Sequence, residues 1–98
     1  MSIDEFRKSA GGQPSPGMSG ALLALWHDAR GDWAAAHDAA QGDDSANGAW
    51  VHAYLHRKEG DPGNAAYWYR RARRPIPACG VEAEWGQIAG ELLRDDAT

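Results

Sequence analysis

The chain reads as an all-α protein, with two antiparallel helical hairpins followed by a C-terminal capping helix. Three observations predict this. Gly31-Asp32 and Gly60-Asp61 are copies of one corner, 29 residues apart (60 − 31). At the same offset Ala24 falls on Ala53, His27 on His56 and Ala36 on Ala65. Apolar residues also recur at helical spacing on both sides of each corner.

Each corner contains a stop and a start. Glycine adopts the positive φ that ends a helix. The aspartate that follows accepts a hydrogen bond from a free backbone N–H and caps the next helix. Pro62 suits a first helical position, where an N–H is not needed. Helices joined this closely run antiparallel and pack together.

The elements follow in order. Ser2 and Glu5 have capping-box spacing, so residues 1–18 are expected to be a tail or short helix and then a Gly/Pro-rich linker. Residues 19–98 form the single domain. Ser19 caps a helix over Gly20–Ala29, whose stripe is Leu22, Leu25, Trp26 and Ala29. Asp32 caps Trp33–Gln41, which Gly42 stops; its alanines favour helix and close approach. Asp44 or Ser45 caps Ala46–Glu59, with Trp50, Ala53 and Tyr54 on one side. Pro62–Arg73 aligns Ala65, Tyr69 and Ala72 and ends before Pro75 and Pro77. Val81–Arg94 has the clearest stripe (Val81, Trp85, Ile88, Leu92) and is expected to cap the stack. Asp95–Thr98 is expected to fray.

The second hairpin resembles a tetratricopeptide (TPR-like) repeat. Ala53 stands at its small position, Ala65, Tyr69 and Ala72 match its second helix, and Pro75 resembles its closing proline. Ala24, Ala36 and Ala40 fit the first copy loosely. The offset is shorter than the family's period of about 34 residues. His27 and His56 replace a usual Tyr, and His52 a usual Leu. The likeness covers Ser19–Pro75. The run HAYLHRKEGD followed by YWYRRA also resembles small bacterial proteins of undefined role.

Composition narrows the function classes. A net charge of −4 disfavours nonspecific nucleic-acid binding by the whole chain. Cys79 is the only cysteine, so no internal disulfide forms. No apolar run approaches the roughly 20 residues needed to span a bilayer. The start lacks a signal-peptide core, so a soluble cytoplasmic protein is expected.

Three readings compete for function. The resemblance implies a concave groove lined by Met18, Ala21, Leu25, Asp28, Asn47, Trp50, Tyr54 and Arg57, which binds a protein segment. The Lys-and-Asn clamp of some family members is not matched. Large rings serve cores and interfaces alike, so Trp50 and Tyr54 are equally well read as core, or as covered by the last helix or a second copy. Two repeats fall short of the usual three or more, and self-association would supply the missing buried surface. This makes the protein a non-enzymatic interaction module without cofactor. The second reading is an anion, nucleotide or RNA site built from Arg57, Lys58, Arg70, Arg71, Arg73 and Arg74 with interleaved aromatics. Against it, cations near helix C-termini complement the helix dipole without any ligand. The third is a metal-dependent enzyme using His52 and His56, joined by His27 or His37. Their i, i+4 spacing gives one face, but no H-E-x-x-H pattern accompanies it. The simpler alternative has His27 and His56 bonding across helices. Cys79, just before the last helix, has no sequence partner that makes it a nucleophile.

Overall fold

The two Gly-Asp corners fold alike and set the architecture. The computed structural model describes residues 1–14 and 16–96, which hold six helices. These are α1 (Ile3–Ser9), α2 (Gly20–Ala29), α3 (Trp33–Gln41), α4 (Ala46–Lys58), α5 (Pro62–Ala72) and α6 (Val81–Asp96). At the first corner Gly31 has φ 83°, and at the second Gly60 has φ 89°. Gly31 N–H donates to Asp28 O and Asp32 N–H to His27 O, the paired closure of a helix by a left-handed residue. Gly60 and Asp61 repeat it on Arg57 O and His56 O. Each aspartate then caps the following helix, Asp32 accepting from Ala35 N–H and Asp61 from Asn64 N–H.

The hairpins α2–α3 and α4–α5 meet through α3 against α4 and α2 against α4. Alanines permit the close approach: Ala24, Ala36, Ala40 and Ala53 are all fully buried at these seams. Asp43, in the connection between the hairpins, ties them at a second point. Its carboxylate accepts from Ala21 N–H at the start of α2 and from Ser45 N–H at the start of α4. Burial opposes its ionisation, but the bonds from Ser45 and Ala21 outweigh this and hold its pKa below the usual value.

The expected end cap lies elsewhere. Helix α6 packs across α2 and α4, the first helices of both hairpins, and meets α1. It reaches α5 through a side chain, Glu84, which accepts from Tyr69 OH. Its stripe of Trp85, Ile88, Ala89 and Leu92 fills the surface that α2 and α4 present. Trp85 Nε1–H donates to Leu25 O at 3.3 Å, fixing α6 on α2.

The N-terminal segment holds the short helix expected of it, α1. Helix α1 joins the same core: Phe6 is fully buried and its ring stacks on Trp85 at 5.8 Å. The capping box at Ser2 and Glu5 is present. Ser9 Oγ accepts from Trp26 Nε1–H, linking α1 to α2. A buried aromatic of this size contributes about 2–3 kcal/mol, which favours docking of so short a helix. The fraying expected at the C-terminus concerns residues of which 97–98 lie outside the described ones; α6 runs to Asp96. No helix among the described residues is long and apolar enough to cross a membrane.

Candidate functional site

Three sets of side chains carry the chemistry of the surface and its underlying seams. The first is the groove expected from sequence, and it is closed. Leu25 is 0% exposed, Trp50 6% and Tyr54 2%, because α6 lies over them. Ala21 and Asp28 are buried with them, while Met18 and Asn47 are half-buried at the edges. A concave face lined by large rings has more apolar area than two hairpins leave dry, and α6 covers it.

Two buried carboxylates close this seam. Asp28 accepts from Tyr54 OH at 2.7 Å and from Lys58 Nζ at 2.8 Å. Glu84 accepts from Tyr69 OH at 2.6 Å and from Arg57 at 2.8 Å, and Arg57 also donates to Cys79 O. Burial, then the hydrogen bond to the neighbouring carboxylate, pushes the pKa of Tyr54 and Tyr69 far up, so each phenol stays a donor. Arg57 therefore supports the fold rather than edging a groove. A cleft of about 340 Å³ remains beside the Asp28 cluster, lined by Arg7, Tyr54, Lys58, Glu82 and Trp85. Among the described residues no buried side-chain polar atom lacks a partner.

The second set is the outward face of α5. Among the described residues its backbone packs against α4 alone, and it reaches α6 through the Tyr69 side chain. Tyr67 is 45% exposed, Trp68 is half-buried beside it, and Arg70, Arg71 and Arg73 are exposed. The Arg71 guanidinium sits 5.2 Å from the Trp68 ring centre and 5.9 Å from that of Tyr67. Arg74 is engaged otherwise, over Trp50 and paired with Glu91. Arg70 and Arg73 form no ion pair among the described residues. The basic cluster thus divides: Arg57 and Arg74 are spent on α6, and Arg70, Arg71 and Arg73 remain on the surface.

The third set lies between the hairpins. His37 from α3 meets His52 and His56 from α4, as the i, i+4 spacing of the latter two places them on one face. His37 Nε2 and His52 Nε2 are 3.0 Å apart and share a hydrogen bond. His56 Nδ1 bonds Glu59 Oε1 at 2.6 Å. Trp68 stacks on His52 at 3.9 Å, and Trp33 on His37 at 5.0 Å. Desolvation, then the neighbouring His37 and His56, lowers the pKa of His52 to about 4. His27 stays apart, edge-on to Trp26, so the expected bond between His27 and His56 across helices is not made. The two histidines occupy equivalent turns, but only His56 joins His37 and His52. Trp33 and Glu59 were missed from sequence. Their signals were spacing alone: Trp33 precedes His37 by one helical turn, and Glu59 follows His56 by three residues.

Comparison with protein-family models, with curated proteins and with solved structures gave no match.

Proposed function

We propose that this domain is a non-enzymatic interaction module that docks an acidic protein segment on the outward face of α5. The observation that carries the reading is that α5 lies at the edge of the stack with its backbone against α4, and its outward face sets the exposed Tyr67, Arg70 and Arg71 beside the half-buried Trp68. Aromatics and arginine are the residues enriched where partners bind. Three exposed arginines in an otherwise acidic chain give that face its sign, and the sign selects a negative partner. The non-enzymatic part rests on how the buried polar groups are used: Tyr54, Tyr69, Asp28 and Glu84 satisfy one another. The TPR-like resemblance of the second hairpin agrees with a scaffold role, though the docking face is not the one the resemblance implies.

The test is fluorescence anisotropy with a short labelled Glu- and Leu-rich peptide. Binding should weaken with salt and disappear in Arg70→Glu/Arg71→Glu. Equal affinity in wild type and the double variant removes the reading. A single-stranded RNA oligonucleotide that binds more tightly than the peptide would replace it with the anion-site reading, because Tyr67 and Trp68 beside arginines also suit base stacking. Sedimentation of the free protein measures the remaining occupant, a second copy.

A further inference from the structure

We infer that His37, His52 and His56 form a binding site for one zinc ion at the junction of the two hairpins. One nitrogen of each imidazole lies within 4.8 Å of the others. Tetrahedral zinc with Zn–N near 2.1 Å places its nitrogens about 3.4 Å apart. The His37–His52 distance of 3.0 Å already falls close to that edge. A side-chain rotation of the order of 1 Å completes the triangle, well within ordinary rotamer play.

Two further features point the same way. Glu59 holds His56 by Nδ1, and that nitrogen is the only one of His56 hydrogen-bonded among the described residues. The carboxylate thereby orients the ring and leaves Nε2 as the ligand atom, the arrangement that supports imidazole ligands in metal sites. Trp33 and Trp68 then fix the planes of the other two rings, each stacked at an interplanar angle of 14°. Three imidazoles suit zinc and other late divalent transition metals rather than calcium or magnesium, which take oxygen ligands. The ion replaces the proton shared between His37 and His52, so the donor ring shifts that proton to Nδ1. A fourth position is left for water. Because His37 belongs to the first hairpin and the other two to the second, zinc clips α3 to α4.

Untagged protein stripped with chelator and titrated with zinc by calorimetry tests this. One zinc per chain is expected, with melting temperature rising as zinc is added. His37→Gln should weaken binding at least tenfold, and Glu59→Gln about tenfold. His37 is half-buried, so its variant is expected to keep the helical circular dichroism; His52→Gln, fully buried against Trp68, serves only if it does the same. Cobalt substituted at the site should give the intense visible bands of tetrahedral nitrogen coordination. Zinc binding that is absent, or unchanged in folded His37→Gln, overturns the site, as does an octahedral cobalt spectrum.

Discussion

The two hairpins have the same corner and different second helices. Asp32 has φ −103° and ψ 81°, Asp61 φ −113° and ψ 79°. Their glycines and their closing hydrogen bonds also correspond. Yet α3 carries Ala39 and Ala40 where α5 carries Trp68 and Tyr69 at the same offset. Helix α3 lies between α2 and α4, so small side chains let both neighbours approach. Helix α5 sits at the edge, so large rings can reach over α4 or out to solvent. The corner decides that two helices turn back on each other. Side-chain volume decides how many further helices they can touch.

The same offset places Asp28 on Arg57, and each belongs to a carboxylate–tyrosine–cation cluster. The clusters differ in access to water, and this gives the largest expected effect. Glu84 is 1% exposed, and removing it leaves Arg57 and Tyr69 facing an apolar seam. Glu84→Ala should cost about 3 kcal/mol, the lower end for breaking a buried ion pair, because Arg57 is partly exposed. Asp28→Ala should cost about 1–2 kcal/mol. Lys58 is 41% exposed on its side chain and hydrates freely, and Tyr54 opens on the neighbouring cleft. Urea unfolding of both variants checks the order. Equal losses would mean that the two clusters are equally dry.

A second contrast concerns acid. At the repeat offset, His52 of α4 corresponds to Leu23 of α2, so the first hairpin has no titratable counterpart of this ring. His52 has a folded pKa of about 4 against 6.5 when unfolded. Its proton affinity falls on folding, so the unfolded chain binds the proton first as pH drops. The stability it contributes is complete above pH 6.5 and is lost progressively towards pH 4. The loss should reach about 3 kcal/mol, read from urea midpoints at several pH values in the presence of chelator. In His52→Gln the slope between these limits should flatten. A wild-type slope unchanged by that substitution would assign the acid sensitivity to other groups.

Much of the backbone was legible in the sequence because caps and corners are local. Ser19, Asp32, Ser45 and Asp61 each cap the helix expected of them, and Gly20–Ala29 and Trp33–Gln41 keep the bounds read from sequence. What the stripes face was not legible. Trp50 and Tyr54 mark a face that must be covered or used, but a stripe does not name its partner, and here α6 covers it. The choice of His37 over His27 beside His52 and His56 was hidden for the same reason: it depends on α3 packing against α4, a tertiary contact. The roles of Glu84 and Asp28 depend on contacts 15 to 30 residues away in sequence, where local spacing gives no signal.

The smallest effects test the corner itself. A Cβ at Gly31 or Gly60 meets nothing within 4 Å, so the cost of alanine there is conformational alone. Gly31→Ala and Gly60→Ala should each lose about 1 kcal/mol, and by the same amount as each other if the corners are equivalent. A third helix end supplies the control. Arg73 closes α5 in the same left-handed region, φ 59° and ψ 43°, without being glycine. Its N–H donates to Arg70 O and the next N–H to Tyr69 O, the bonding pattern of the two glycine corners. Arg73→Gly should therefore gain about 0.5 kcal/mol, the relief of the left-handed strain less the added freedom of the unfolded chain. Thermal unfolding of the three variants gives the sign at each end. A stabilising Gly31→Ala beside a destabilising Gly60→Ala would show that one corner relaxes where the other cannot, and the hairpins would then share a sequence pattern without sharing its energetics.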